Sequence, residues 1–284
     1  MKLDILFSSI ALLCGVAMFS ASAQSPQVPS MIIFAGETIS FEDQDYYERM
    51  DREILSFCYM HTNSTLMLKR ASKIFPIVEP ILKEMGIPDD LKYLMAIESN
   101  LSPTARSSAG AAGLWQLMPT TAKEYGLEVR NDVDERYHIE KSTRAACRYL
   151  KSAYSEFGDW MTTAASYNAG RAGIKKRLEE QKEDNAMNLW LVEETSRYMF
   201  RILAAKMMFE NPSRFGFDIQ EKDRYPFIPA RELVKVNTDI DNLVDFARSK
   251  GTSYAKLKRA NLWLRSNKLS NPNKKEYTIT IPNE

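Results

Sequence analysis

The amino-acid sequence predicts a mainly α-helical fold followed by a small α+β unit. Apolar residues recur at helical spacing through the middle of the chain, and glycine, proline and asparagine separate these stretches. No long alternating pattern typical of a strand precedes Phe227. From Arg231 onward the composition changes, with 11 basic and 6 acidic residues up to the C-terminus. These observations predict two units joined near 225–230, where Pro226 and Pro229 fit a linker.

The N-terminus predicts an export signal over residues 1–23. A basic residue precedes an apolar stretch over residues 5–19, and small residues follow at Ala21 and Ala23. The stretch is short for a bilayer crossing, and small residues fit the subsites of signal peptidase, so we expect cleavage after Ala23. A retained N-terminal anchor and lipidation of Cys14 are the alternatives.

The helices of the central region are predicted from their apolar faces and their end signals. One helix has an apolar face over residues 74–85 and ends at Gly86 and Pro88. Asp89 or Asp90 is expected to cap the helix that follows. Later helices are predicted at about residues 139–157, 160–167 and 192–210, with Asn211-Pro212 closing the last. In the C-terminal unit we predict the order strand, helix, helix, strand, with outer strands at 233–236 and 277–281.

Charge and composition exclude several classes of function. The chain has 38 Lys and Arg against 37 Asp and Glu, so its formal net charge is +1 and no global field would attract nucleic acid. His61 and His138 have no Cys or His at ligand spacing, and we therefore predict no metal site and no cofactor. After export the chain would keep Cys58 and Cys147, and the sequence leaves open whether these thiols pair.

Glu98 is the residue that the helical pattern singles out for chemistry. Leu91, Leu94, Met95 and Glu98 share one face of a predicted helix, which puts the carboxyl at the edge of a buried stripe. Desolvation raises the pKa of a carboxyl and keeps it protonated near neutral pH, as a general acid requires. Spacing alone favours the alternative, a structural glutamate that pairs with a buried arginine or caps a loop.

A run of small residues over 102–113 follows Glu98 and strengthens the chemical interpretation. Such a segment lets the backbone approach a bulky ligand closely. It leads into Trp115 and Gln116, an aromatic and an amide side chain that suit a sugar with an N-acetyl arm. An ordinary flexible loop is the alternative.

Several separate motifs lie between about residues 66 and 217. In chain order they are Glu98-Ser99, Gly113-Leu114-Trp115-Gln116 before Met118-Pro119, Val133-Asp134-Glu135-Arg136, Ala145-Ala146 with Tyr149-Leu150, Ser166-Tyr167-Asn168-Ala169-Gly170, and Glu194-Thr195 with Tyr198. Together they resemble the lysozyme-like lytic transglycosylases, of the membrane-bound murein D type. The sequence departs from the family pattern at Ser166, where alanine is frequent, and at 171–173, where Gly-Pro-Gly is more common.

The resemblance implies a lysozyme-like helical domain of the goose-type and soluble lytic transglycosylase kind, in which Glu98 acts first as the acid and then as the base. It implies that Tyr198 directs its hydroxyl at the catalytic carboxyl. It further implies sugar contacts or cleft-lining roles for Ser107, Gln116, Met118, Tyr167 and Asn168. The alternatives are packing roles for Tyr167 and Tyr198 and a helix C-cap at Asn168. Asp134 and Arg136 fit a structural ion pair or cap better than catalysis.

The C-terminal unit is similar to a degenerate LysM module, the peptidoglycan-binding fold of two helices against a two-stranded sheet. The usual Gly-Asp-Thr-Leu signal is replaced by Asn-Thr-Asp-Ile-Asp at 237–241, so sugar binding and a purely structural role both stay open. The predicted organisation is a signal peptide over 1–23, a partly helical lead-in over 24–64, a catalytic domain over 65–224 and the LysM-like module over 231–284.

The activity that the resemblance implies is cleavage of peptidoglycan glycan strands between N-acetylmuramic acid and N-acetylglucosamine, leaving 1,6-anhydromuramic acid ends. It implies an exported protein in the periplasm or cell envelope of a Gram-negative bacterium, either free or associated with the outer membrane. Two alternatives are a hydrolytic goose-type muramidase, which needs a second carboxylate, and a non-catalytic peptidoglycan-binding protein.

Overall fold

The computed structural model describes residues 25–283, and the predictions of a signal peptide and of lipidation at Cys14 lie outside that range. The described chain is mostly helical, with two short antiparallel sheets. Its strands are β1 Met31–Phe34, β2 Glu37–Ser40, β3 Ala230–Val236 and β4 Tyr277–Pro282. Its α-helices are α1 Gln44–Tyr59, α2 His61–Met85, α3 Leu91–Ser99, α4 Pro119–Glu124, α5 Ile139–Phe157, α6 Trp160–Ala169, α7 Arg171–Gln181, α8 Glu193–Glu210, α9 Leu243–Ser249 and α10 Tyr254–Ala260.

The predicted helices of the central region are confirmed, with differences at their starts. α5 has the predicted bounds, α6 and α8 begin within one residue of prediction, and α2 ends at Gly86 in a left-handed conformation with φ of 68°. α2 begins much earlier than the apolar pattern indicated and runs unbroken through the predicted start of the catalytic domain at residue 65. Two helices, α4 and α7, and the β1–β2 hairpin were not predicted, because each exposes most of its surface or is very short.

The prediction that Asp89 or Asp90 caps α3 is wrong in its chemistry. Asp90 stands at the N-cap position but makes no capping hydrogen bond. Its carboxylate instead accepts the Ala35 amide at 2.7 Å and the Lys206 ammonium at 2.7 Å. The side chain therefore ties the hairpin and α8 to the start of α3, which helps to fix the helix that carries Glu98.

A large apolar core lies between the long helices of the central region. It includes residues of α1, α2, α3, α5, α6 and α8 together with Phe34, Phe41 and Trp115. α8 packs along α1 and also contacts α3 and α6, so it touches both the lead-in and the helix of Glu98. None of the helices within residues 25–283 combines the length and apolar character that a bilayer crossing requires.

The C-terminal unit has the predicted order strand, helix, helix, strand. β3 pairs antiparallel with β4, with Leu233 opposite Thr280 and Val236 opposite Tyr277. Leu243, Leu257, Trp263 and Ile279 belong to a second apolar core. That core also contains Ala112, Val133 and Tyr137 of the central region, so the two units share one packed interface. Cys58 and Cys147 are both free thiols.

Candidate active site

Glu98 is the last residue but one of α3, which ends at Ser99 and has Asn100 as its C-cap. Leu91, Leu94 and Met95 are fully buried, and Glu98 follows one helical turn later in a half-buried position. The two residues that follow the helix, Asn100 and Leu101, both have a left-handed backbone conformation, with φ of 49° and 53°. Non-glycine residues adopt this conformation at an energetic cost, so two in succession indicate a strongly constrained turn. The turn exposes the carboxyl at the edge of the core.

The carboxyl of Glu98 is paired with a neutral hydroxyl. The Tyr198 hydroxyl, on α8, donates a hydrogen bond of 2.6 Å to Glu98 Oε1. The pKa of Glu98 is raised to about 7, with burial as the largest cause and the nearby Glu194 as a smaller one. The Tyr198 hydrogen bond and Arg201 oppose this rise in the pKa. Near neutral pH a large fraction of Glu98 therefore carries its proton.

The small-residue loop, defined here as residues 102–118, is held in one conformation by its own hydrogen bonds. Ser107 donates its amide to the Ala111 carbonyl at 3.0 Å, and its hydroxyl accepts the Ala111 amide at 3.0 Å. Gly113 packs so closely on the Arg136 carbonyl that an added Cβ would lie 2.0 Å from that oxygen. The loop is therefore an ordered structure, in contrast to the flexible-loop alternative.

Gln116 and Met118 lie at the C-terminal end of the small-residue loop. Gln116 is left-handed, with φ of 47°, and its side-chain amide donates to the carbonyls of Gly113 at 2.7 Å and Ala105 at 3.2 Å. The side chain therefore braces the loop while staying half-buried. Met118 is 42% exposed just before α4. An exposed thioether beside an ordered amide suits contact with a ligand.

Tyr167 and Asn168 lie at the end of α6 and connect it to the loop and to α8. The Tyr167 hydroxyl donates to the Trp115 carbonyl at 2.6 Å, and the side chain is close enough to Glu98 for that carboxylate to raise the pKa of Tyr167, though less than burial does. Asn168 Oδ1 accepts a hydrogen bond of 2.9 Å from the Thr195 hydroxyl. Both side chains are half-buried, and Gly170 is the C-cap of α6. Tyr167 also packs edge-on against Tyr149, with ring centroids 5.2 Å apart, so a packing role stays open for it.

The structure thus places Glu98, Tyr198 and Tyr167 near one another and joins Tyr167 to the small-residue loop through the Trp115 carbonyl. Ser107 is exposed and hydrogen-bonds within its own loop. Asp134 and Arg136 form a bidentate ion pair with N–O distances of 2.9 and 2.7 Å, which confirms the structural role expected of them.

Arg201 and Glu53, which are linked to the surroundings of Glu98 through α8, were missed from the sequence. Arg201, one turn beyond Tyr198 on α8, lowers the pKa of Glu98. Its guanidinium also bonds Glu53 of α1, whose carboxylate is 1% exposed. The spacing of Tyr198 and Arg201 at i and i+3 was a signal for Arg201. Glu53 lies on the buried stripe of α1 with Met50, which was its signal.

A cavity of about 410 Å³ adjoins the end of α3, where Ile97 and Asn100 line it, and its lining includes neither Glu98 nor any other predicted site residue. Its other lining residues are Glu53, Ser56, Phe57, Met60, Asn63, Ser64, Met67, Arg197 and Arg201. The described residues contain no cluster of three His, Cys, Asp or Glu side chains that could hold a metal ion. A half-buried carboxyl with a raised pKa, hydrogen-bonded to a neutral hydroxyl, can deliver a proton to a bound ligand.

Comparison with known protein families assigns both units. Residues 76–189 match the transglycosylase SLT domain, and residues 232–284 match the soluble lytic transglycosylase C-terminal LysM-like domain. The chain therefore carries an SLT transglycosylase domain followed by a LysM-like domain. It is homologous to membrane-bound lytic murein transglycosylase D of Escherichia coli, with 30% identity over 197 residues, 66% of this chain and 42% of the relative.

Further relatives carry related names. Membrane-bound lytic murein transglycosylase F of Salmonella choleraesuis is 32% identical over 127 residues, 41% of this chain and 23% of that protein. The crystal structure of the 70 kDa soluble lytic transglycosylase of Escherichia coli aligns with a TM-score of 0.45 and 18% identity, covering 65% of this chain and 34% of that chain. The chain spans less than half the length of these relatives. Tyr198 and all of α1 and α8 lie outside the matched SLT range.

Proposed function

We propose that the protein is a peptidoglycan lytic transglycosylase that cleaves the β-1,4 bond between N-acetylmuramic acid and N-acetylglucosamine. The observation that carries this proposal is the half-buried Glu98 carboxyl, held by the Tyr198 hydroxyl at 2.6 Å with a pKa raised to about 7. Such a group can be protonated when substrate binds and can take a proton back later in the same reaction. The SLT domain match supports the choice of substrate.

The reaction needs one carboxyl. Protonated Glu98 donates its proton to the glycosidic oxygen as the bond from that oxygen to C1 of muramic acid breaks. The substrate's own N-acetyl group stabilises the positive charge that develops at C1. The C6 hydroxyl of the same sugar then bonds to C1 through its oxygen and returns its proton to Glu98. The nucleophile is tethered to the reacting ring, which lowers the entropic barrier, and no water is consumed.

The remaining site residues are assigned to positioning and sugar contact. Tyr198 orients the catalytic carboxyl through its hydrogen bond. We assign Tyr167, Asn168, Gln116 and Met118 to contact with an N-acetylated sugar ring, because the Tyr167 hydroxyl joins the end of α6 to the small-residue loop. The exposed Ser107 is assigned to the outer part of the same proposed sugar site.

The proposed organisation keeps a signal peptide over residues 1–23, a lead-in over 24–64, a catalytic domain over 65–224 and the LysM-like module over 231–284. The mature protein would act in the cell envelope on the periplasmic side. A tethered form at the outer membrane is the alternative to a free periplasmic one, and fractionation of cells expressing the full chain distinguishes them. Peptidoglycan glycan strands are the proposed partner of both units.

Product analysis tests the proposed activity. Purified sacculi are digested with the protein and the released fragments are analysed by mass spectrometry. We expect muropeptides with 1,6-anhydro ends, which are lighter by one water than reducing ends. Reducing ends alone would establish hydrolysis and reject the transglycosylase. Sacculi that bind the protein but are not cleaved would instead support a wall-binding scaffold.

The hydrolytic alternative has one specific candidate for its second carboxylate. Glu194 is exposed at the start of α8 and raises the pKa of Glu98, so its charge lies within electrostatic reach of the catalytic carboxyl. A muramidase that uses Glu194 to activate water loses activity in Glu194→Gln. A transglycosylase retains most of its turnover in that variant, since the C6 hydroxyl needs no second carboxylate.

A further inference from the structure

The C-terminal module is joined to the central region by main-chain pairing as well as by side chains. The docking segment, defined here as residues 128–138, forms an antiparallel bridge between Val133 and Leu264. The Asp134 amide donates to the Trp263 carbonyl at 2.9 Å, and the Arg265 amide donates to the Asp132 carbonyl at 2.8 Å. Bonds of this kind need defined geometry from both partners. The module is therefore seated in one orientation on the docking segment.

Aromatic and apolar contacts bury this interface. Trp263 is 4% exposed and stacks on His138 at a centroid distance of 6.0 Å and on Tyr277 at 5.6 Å. The Arg265 guanidinium lies 4.2 Å from the centre of the Tyr137 ring. Val133 and Tyr137 contribute side chains to the same core as the module's own residues. Such burial supplies most of the favourable energy of a packed contact.

A set of polar contacts also joins the module to the docking segment. This docking network consists of Lys275, Tyr277 and Ser270 of the module with Glu128, Arg130 and Glu135 of the docking segment. The Tyr277 hydroxyl and the Lys275 ammonium bond Glu128 Oε2 at 2.7 and 2.8 Å. Lys275 also reaches Glu135 at 3.1 Å, and Arg130 donates to the Ser270 carbonyl at 2.6 Å. Although burial alone raises the pKa of Glu128, the bonds from Lys275, Tyr277 and Arg130 lower it to about 2. The network is charged at every pH near neutrality.

The docking segment is in turn bonded to the small-residue loop. Arg136, held by Asp134, donates to the Gly110 carbonyl at 2.7 Å and to the Leu117 carbonyl at 3.1 Å. The Arg136 carbonyl fills the space beside Gly113 where a side chain would stand. Ala112, inside the loop, is 1% exposed and packs in the core that it shares with the module. The loop thus rests on the docking segment and on the module core.

We infer that the LysM-like module is a brace for the catalytic domain: by fixing the docking segment it holds the small-residue loop in the conformation that receives the sugar beside Glu98. The inference rests on the proposed function for its catalytic consequence. It adds a role that sugar binding by the module would not supply, because the brace is needed even for a glycan too short to reach the module. Trp263, Lys275 and Tyr277 are the module residues that do the positioning.

The test uses the full chain with the docking network weakened. In the double variant Lys275→Ala with Tyr277→Phe, both changes remove polar atoms and leave the aromatic ring in the core. A matched control, Lys235→Ala with Tyr254→Phe, makes the same two changes in the module away from the docking segment, where Lys235 is 71% exposed and pairs with Glu276. Circular dichroism checks that each variant is folded.

Hydrogen exchange of residues 105–118, followed by mass spectrometry, is the primary measurement. We expect exchange about tenfold faster in the double variant than in the wild type or the control, because the loop loses its support. Turnover of a soluble tetrasaccharide of alternating N-acetylglucosamine and N-acetylmuramic acid should fall about tenfold in kcat/KM, since small displacements of positioning groups are costly. Unchanged loop exchange with weaker sacculus binding would overturn the brace and leave the module a glycan binder.

Two features keep the result interpretable. If the double variant fails to fold, Glu128→Gln on the catalytic side weakens the same network while keeping every residue of the module, and the same loop exchange is expected. Loop exchange requires no substrate. A protein that cleaves no glycan at all would therefore refute the proposed activity, whereas an unchanged exchange rate would refute the brace.

Discussion

Two glutamates occupy the buried stripes of two helices, yet their surroundings differ. On α1, Glu53 lies among the buried Met50, Ile54 and Phe57 and is 1% exposed. On α3, Glu98 follows an equally apolar stripe and is half-buried.

The partners of the two carboxyls decide what each can do. Glu53 accepts from Arg197 Nε at 2.6 Å and from Arg201 Nε at 3.2 Å. Glu98 accepts from the neutral Tyr198 hydroxyl. Guanidinium groups are permanently charged, so Glu53 is matched by opposite charge and joins α1 to α8. Burial without such a match favours the protonated form of Glu98. Partner chemistry, more than burial, separates the structural acid from the catalytic one.

The largest predicted effect concerns activity. Glu98→Gln removes the proton donor, and we expect the rate of sacculus cleavage to fall by about 100- to 10,000-fold. Glu53→Gln should retain cleavage within about tenfold, since Glu53 only supports α8. Release of soluble muropeptides measures both. Equal losses in the two variants would contradict the separation of roles.

The second prediction is that the two substitutions change stability in opposite directions. The pKa of Glu98 in the folded protein is about 7, above the ordinary value of 4.5, so its contribution to stability is complete below about pH 4.5 and is lost as the pH rises through 7. Glu98→Gln should therefore raise the free energy of unfolding at pH 8 by about 2 kcal/mol, after allowance for partial exposure.

Glu53→Gln should lower the free energy of unfolding by about 2 kcal/mol, because charge-assisted hydrogen bonds to two arginines are weakened. Urea denaturation at pH 8 measures both variants against the wild type. Destabilisation by both substitutions would show that Glu98 is also a structural partner.

The comparison also shows how far sequence reasoning reaches. The stripe that singled out Glu98 has the same form as the stripe of Glu53, and periodicity does not report the partner 100 or more positions away. The pairing of Glu98 with Tyr198 was expected from the family resemblance, not from spacing. The helices with one apolar face were predictable because burial imposes a period on the sequence.

Other features depend on contacts that leave no periodic signal. The β1–β2 hairpin has strands of only four residues each, too short for a clear alternation. Ala112 looks like part of a flexible small-residue run, but in the fold it enters the core shared with the module. Asp90 has the residue type and position of an N-cap, but its carboxylate accepts hydrogen bonds from the Ala35 amide and the Lys206 ammonium instead. Tertiary partners override local preference in each case.

The third prediction concerns pH. A transglycosylase with Glu98 as its single acid should lose kcat/KM as the pH rises through about 7. It has no second carboxylate whose protonation would lower kcat/KM at acid pH. Tyr198→Phe removes a bond that lowers the pKa of Glu98, so the alkaline loss should move to higher pH. Initial rates on sacculi between pH 4 and 9 measure this. A bell-shaped profile of the wild type, together with loss of activity in Glu194→Gln, would favour the hydrolytic alternative.

The smallest predicted effect separates the two arginines of Glu53. Both bond the Glu53 carboxylate, but the charge of Arg201 lowers the pKa of Glu98, and burial and Tyr198 are larger influences on it. Arg201→Gln should therefore move the alkaline loss of activity to higher pH. Arg197→Gln, the matched control, should leave the pH of the alkaline loss unchanged. Both variants should unfold at lower urea concentration, because each removes one of the two arginine hydrogen bonds to Glu53. Equal shifts of the pH profile in both variants would contradict a specific role of the Arg201 charge. They would show instead that the pKa of Glu98 depends on the position of α8, which Glu53 holds through both arginines.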